Sequence, residues 1–137
     1  MPGYSGTPLP KKLGIKAGFR VWLANAPAEV RAELREALAE CVLVKHGDAL
    51  DFVMMFTRSR VELTKEFARV AKVLAPAGML WVSWPKKSSG VATDVDENVV
   101  RGVGLAAGLV DVKVCAVTEV WSGLKFVRRV KDRVARE

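Results

Sequence analysis

The part of this chain richest in ligand-type side chains is Trp84-Pro85-Lys86-Lys87-Ser88-Ser89-Gly90. Two ammonium groups, two hydroxyls and a flexible glycine can surround a phosphate or a carboxylate. The segment follows an apolar run that reads as a strand, and open α/β sheets collect ligands at the carboxyl ends of their strands. It is not a Walker loop, because the G-x-x-x-x-G-K-[ST] spacing is missing. A second source of similar groups is the arm Tyr4-Ser5-Gly6-Thr7-Pro8-Leu9-Pro10-Lys11-Lys12, which can fold across the same crevice. The candidate ligand-binding set is therefore Thr7, Lys11, Lys12, Lys86, Lys87, Ser88, Ser89 and Gly90. The competing reading pairs Lys86 and Lys87 with Asp94, Asp96 and Glu97, which already place negative charge at the start of the next helix.

Catalytic and metal chemistry lack parts. His46 is the only histidine and sits in the polar turn Lys45-His46-Gly47-Asp48. Cys41 and Cys115 form no C-x-x-C pair and no zinc-ligand set, so both read as buried free thiols. Asp94, Asp96 and Glu97 read as helix-capping acids in preference to a magnesium cluster. No catalytic residue, metal or cofactor is expected.

The elements that must carry these groups follow from hydrophobic spacing. Arg20 to Leu23 reads as a strand, and Pro27 suits the first turn of a helix that runs to about Glu40. Cys41 to Val44 reads as a short strand, and Asp51 to Phe56 as a strand covered on both faces. Ser59 and Glu62 form an S-x-x-E capping box ahead of Leu63, Phe67, Val70 and Leu74 at helical spacing. Pro76-Ala77-Gly78 reads as the stop, and Gly78 to Trp84 as the next strand. Trp81 and Trp84, an odd number apart, point to opposite faces. A helix follows along Val95, Val99, Val103 and Ala107, where Gly102 and Gly104 suggest a close neighbour that needs space. The alternating stretch from Val110 to Ala116, a turn at Ser122-Gly123 and a return over Leu124 to Val130 complete a hairpin.

Strands alternating with helices imply an α/β fold: one Rossmann-like domain with a mostly parallel sheet and an antiparallel hairpin at its C-terminal end. The domain covers 20–130, between an N-terminal arm at 1–19 and a basic tail at 131–137. The six-residue link from Lys45 to Leu50 is too short for a crossover helix. Cys41 to Val44 is therefore either a marginal edge strand or an antiparallel one.

At 137 residues, 50% hydrophobic and 27% charged, the chain has the composition of one folded globule, which excludes disordered, collagenous and disulfide-scaffold classes. The formal net charge is +7, and the excess lies in residues 1–20 and 125–137. Such ends can gather polyanions by counterion release, or can simply be solvated. The longest apolar stretch is broken by Pro76 and Gly78 and falls short of the ~20 residues of a membrane span. The first thirty residues carry no apolar signal core, so a cytoplasmic location is expected.

From Asp51 onward the chain resembles the second half of a class I S-adenosylmethionine-dependent methyltransferase. The similar stretches are Asp51 to Phe56, Phe67 to Ser83 with its Leu-Ala-Pro-Ala-Gly passage, and Ala107 to Val114. The other half departs from that pattern. Methyltransferases place a glycine-rich turn after the first strand, and here the turn is Asn25-Ala26-Pro27-Ala28. They put an acid after the second strand to hold ribose hydroxyls, and here Lys45 and His46 take that place. Tyr4 to Lys16, Trp84 to Asp94 and Val114 to Phe126 together resemble a family of small bacterial proteins, the domain of unknown function numbered 3052. That resemblance implies a Rossmann-like fold and no particular activity.

These observations point to a non-catalytic module that binds an anion, a small ligand or a protein partner and lacks a standard S-adenosylmethionine site. The alternatives are an enzyme acting on a small phosphorylated or adenosyl-containing substrate, and a nucleic-acid-associated protein that uses its basic ends.

Overall fold

The computed structural model describes residues 6–45 and 47–134. Its elements are α1 (Leu9–Leu13), β1 (Arg20–Ala24), α2 (Ala28–Leu38), β2 (Val42–Leu43), β3 (Leu50–Phe56), α3 (Arg60–Val73), β4 (Leu74–Pro85), α4 (Glu97–Ala106), β5 (Leu109–Ala116) and β6 (Trp121–Arg128). They form one six-stranded sheet in the order β2-β1-β3-β4-β6-β5. β2, β1, β3 and β4 run parallel, and β6 is antiparallel to both β4 and β5. The α/β class and its antiparallel C-terminal hairpin are as the sequence implies. No helix among the described residues is long and apolar enough to cross a membrane.

The short link before β3 is reconciled by the length of β2. Only Val42 and Leu43 pair, opposite Arg20 and Val21 at the start of β1. Val21 also lies opposite Phe52 on its other side. The chain therefore leaves β2 almost level with the point where it enters β3. It has to drop back only about two residues, roughly 7 Å at strand rise, and needs no crossover helix. Ala49, at φ 57°, makes the final turn. The strand at 42–43 is thus parallel and marginal.

Each strand of the central sheet feeds two cores, because alternate side chains leave opposite faces. Phe52, Met54, Phe56 and Trp81 pack with Leu9, Leu13, Val30, Leu34 and Leu38 beneath α1 and α2. Val53, Met55, Leu80, Val82 and Trp84 pack with Leu63, Phe67, Val70, Val100 and Phe126 beneath α3 and α4. Trp81 and Trp84 thus lie on opposite sides. The arm is anchored from residue 9 onward: the fully buried Trp81 donates from Nε1 to the Leu13 carbonyl at 3.0 Å. Gly14, at φ 84°, closes α1 in the left-handed conformation that glycine adopts without strain. Tyr4 and Ser5 lie outside the described residues.

Three local expectations are corrected. Pro76-Ala77-Gly78 does not separate α3 from its strand: β4 begins directly at Leu74, with the register shifting before Met79. The residue before a proline is pushed to extended backbone, so the chain is already strand-like at Ala75. The last carbonyls of α3 are satisfied from across the sheet, where Arg128 Nη2 donates to Ala71 and Leu74 at 2.6 and 2.7 Å. The hairpin turn is not Ser122-Gly123. Thr118 Oγ1 accepts from the amides of Val120 and Trp121 and makes the turn earlier. Gly123 lies inside β6, where a side chain would press on Val117 and the Trp81 ring. Finally, the two thiols are only partly buried, and Cys41 lies just outside β2.

Ser83, completely buried in β4, has a hydroxyl with no hydrogen-bond partner. An unpaired buried hydroxyl costs roughly 1–3 kcal/mol in desolvation. Ser83→Ala is therefore expected to raise stability by about 1 kcal/mol in denaturant unfolding. A loss of stability would show that the hydroxyl has a partner.

Candidate functional site

The eight residues singled out from the sequence do not form one site. Lys87 and Ser88 are exposed on a 3-10 turn, Lys87–Ser89, that caps its own end. Ser89 Oγ donates to the Lys86 carbonyl at 2.6 Å and accepts from the Val91 amide. Gly90, at φ 74°, closes the turn. The neighbouring acids are engaged elsewhere. Asp94 accepts from the Arg60 amide, Asp96 caps α4 through the Val99 amide, and Glu97 pairs with Arg101. Among the described residues Lys86 and Lys87 make no ion pair, and the proposed pairing with these acids is not made. Thr7, Lys11 and Lys12 meet instead with Lys113, Val114, Cys115 and Ala116 around a cavity of about 440 Å³. Lys86, directly after β4, is half-buried and is not among the residues lining this cavity. His46 lies outside the described residues. Among the described residues no cluster of three or more His, Cys, Asp or Glu is placed to hold a metal.

A different crevice occupies the point where strand order reverses. Between β1 and β3 the chain leaves the sheet in opposite directions, toward α2 and toward α3, and the carboxyl ends of the two strands open a cleft. One cavity of about 460 Å³ is lined by Trp22, Ala24, Asn25, Lys45, Met55, Glu62, Glu66 and Arg69. A second, of about 730 Å³, is lined by Asn25, Phe56, Thr57, Arg58, Ser59, Glu62, Ala92 and Trp121. Asn25 and Glu62 border both.

Local chemistry explains how these groups come to point there. Asn25, at φ 60°, holds the left-handed turn where glycine would be the usual residue; asparagine tolerates it better than other side chains. Its carboxamide nitrogen lies 3.5 Å from the Phe56 carbonyl and bridges the two strand ends. Only half of the expected capping box forms. Ser59 Oγ accepts from the Glu62 amide, but the Ser59 amide donates to Thr57 Oγ1. The Glu62 carboxylate is thereby released from capping and lines the crevice. On the far wall the Arg69 guanidinium stands over the Trp22 ring, 5.2 Å from its centroid, and is held by Glu66. The first of these cavities thus offers two cations, two carboxylates, a carboxamide and an indole face. Trp22, Glu66 and Arg69 carry no sequence signature, since the residues that meet are 47 apart. The position of Asn25 and Lys45 directly after strands was the only legible signal.

Several solved structures of similar fold are methyltransferases. The chain is similar to magnesium protoporphyrin IX methyltransferase from Synechocystis, crystallised with bound SAM. The match has a TM-score of 0.57 at 14% identity and covers 88% of this chain and 74% of that one. It is also similar to precorrin-6y C5,15-methyltransferase from Geobacter metallireducens. There the TM-score is 0.58 at 11% identity, with 88% and 86% covered. Fibrillarin from Aeropyrum pernix, solved with natively bound S-adenosyl-L-methionine, gives 0.53 at 12% identity, with 91% and 70% covered. At these identities the likeness shows the fold. Among curated proteins no sequence matches. Residues 11–130 match the family described as a protein of unknown function (DUF3052), and with that span covering most of the sequence, the chain belongs to this family of Rossmann-like, methyltransferase-like fold.

Proposed function

We propose that this protein is a small-ligand-binding module that has kept the ligand crevice of the methyltransferase-like fold and exchanged its methyl-donor chemistry for recognition of an anion-bearing molecule. The observation that carries this reading is Lys45 at the rim of the crevice after β2. In methyltransferases an acid in that place holds the ribose hydroxyls of the cofactor. An ammonium there cannot accept those hydroxyl protons and favours a phosphate or carboxylate instead. Asn25 supports the same reading: it keeps the turn geometry of a glycine, but its side chain occupies space where bare backbone would approach a cofactor. Glu62 and the Asn25 carboxamide are suited to hydroxyl or amino groups at the other end of the ligand.

Adenosine 5′-monophosphate and S-adenosylmethionine separate the possibilities, since they share an adenosyl group and differ in charge. In calorimetric titration the monophosphate is expected to bind and S-adenosylmethionine is not. Lys45→Glu is expected to weaken monophosphate binding at least tenfold. Micromolar binding of S-adenosylmethionine, or monophosphate binding indifferent to Lys45→Glu, would overturn the proposal.

A further inference from the structure

Strand register in the outer half of the sheet places one lysine between a tryptophan and another lysine. Lys125 on β6 lies directly opposite Trp81 on β4 and directly opposite Lys113 on β5. Directly opposed residues share a face of a sheet, so all three lie on the α1 side, where Trp81 is fully buried. The same-face neighbours of Lys125 along β6 are Gly123 and Val127, which carry no charge. Lys125 itself is half-buried, whereas Lys113 is exposed on the edge strand.

The fold treats the two opposed lysines differently. Lys113 Nζ donates to the Lys12 carbonyl at 3.0 Å. Among the described residues Lys125 makes no hydrogen bond and no ion pair. The charges that act on it are those of Lys113, from β5, and Lys16, from the loop after α1, and no carboxylate is among them. Burial first, then these two cations, push its ammonium below the ordinary lysine range. An amine that is partly desolvated and set beside other cations gives up its proton early, and the neutral form is the nucleophile. The same cations draw an anionic reagent toward it. Conversion to an amide removes one positive charge from the group, whereas an imine keeps a nitrogen that can take the proton back.

We propose that Lys125 is a covalent modification site, an amine that small acyl phosphates acylate under the guidance of Lys113 and Lys16. The lone pair of neutral Lys125 Nζ attacks the acyl carbon and forms the C–N bond. The bond from that carbon to the phosphate oxygen breaks, and its electron pair leaves with inorganic phosphate. The nitrogen gives its proton to water, and the product is an uncharged amide. Lys113 spends one donor on the Lys12 carbonyl, and its remaining N–H groups stabilise the phosphate as it leaves. An uncharged ester carries no group for these cations to hold, so the preference is for the acyl phosphate. Lys16, Lys113 and Lys125 line neither cavity of the β1–β3 crevice, and the proposal does not depend on a ligand there.

Acetyl phosphate and the uncharged donor para-nitrophenyl acetate, applied to the full chain with acetylation followed at each lysine by peptide mass spectrometry, test the proposal. At about pH 8, where solvated lysines are almost wholly protonated, acetyl phosphate is expected to acetylate Lys125 at least fivefold faster than Lys65. Lys65 is an exposed lysine on α3. The rate at Lys125 is expected to level off at a lower pH than the rate at Lys65. With para-nitrophenyl acetate the ratio of the two rates is expected to fall at least threefold. Lys113→Gln is expected to slow acetyl phosphate at Lys125 at least threefold and to move its pH–rate profile upward, and Lys113→Arg, which keeps the charge, to restore both. The comparison of Lys125 with Lys65 needs only the unaltered protein, so it remains decisive if a Lys113 variant does not fold. Acetylation of Lys125 no faster than that of Lys65, a pH–rate profile unmoved by Lys113→Gln, or the same preference with the uncharged donor would each overturn the proposal.

Discussion

Replacing Trp81 with alanine is expected to remove about 3–5 kcal/mol of folding stability, the range for emptying a buried aromatic site. Trp81 is fully buried at the centre of the sheet and belongs to the core beneath α1 and α2. It also holds α1 in place through its hydrogen bond to Leu13. Trp81→Phe separates these roles. The phenyl ring retains much of the packing, while the Leu13 carbonyl loses its partner, at a cost of roughly 1–3 kcal/mol. In hydrogen exchange the phenylalanine variant is expected to lose protection selectively at residues 9–15, with β3 and β4 close to the native chain. Uniform loss across the sheet, or unchanged protection in α1, would show that the indole N–H does not anchor the arm.

The parts of the fold legible in the sequence were those set by local rules. Asp51 to Phe56 reads as a two-faced strand because every other position is apolar on each side. Leu63, Phe67, Val70 and Leu74 define the buried stripe of α3 without reference to anything distant. What was not legible depends on partners far along the chain. Glu62 looks like a capping residue until the Thr57 hydroxyl takes the amide it would have used. The alternation through Val110 to Ala116 places Asp111, Lys113 and Cys115 on one face. A bulge at Val112 breaks that pattern. Asp111 turns toward α4, where Arg101 holds its carboxyl below the ordinary range, and Lys113 turns toward α1. That one extra residue decides whether Lys113 faces an acid or a cluster of lysines.

Gly102 and Gly104 offer the same substitution with opposite expected signs. Both lie in α4, where alanine is favoured over glycine by roughly 1 kcal/mol in backbone terms. At Gly102 an added methyl group meets nothing within 4 Å, so Gly102→Ala is expected to stabilise the protein by about that amount. At Gly104 the added carbon would overlap the Phe126 ring. That ring is fully buried and stands edge-on to Phe67, with centroids 5.2 Å apart, so it cannot swing aside without disturbing the core beneath α3 and α4. Overpacking of this kind costs about 3 kcal/mol, which outweighs the helix gain and leaves a net loss of about 2 kcal/mol. Phe126→Leu should create a void on its own, yet in combination with Gly104→Ala it relieves the overlap. The double variant is therefore expected to be more stable than the sum of the two single losses predicts, by at least 1 kcal/mol on the scale of directly contacting pairs. Equilibrium denaturation of the four proteins measures the coupling. Strict additivity, or a Gly104→Ala variant as stable as Gly102→Ala, would mean that α4 shifts freely away from β6 and that the close approach at Gly104 does not fix the helix on the sheet.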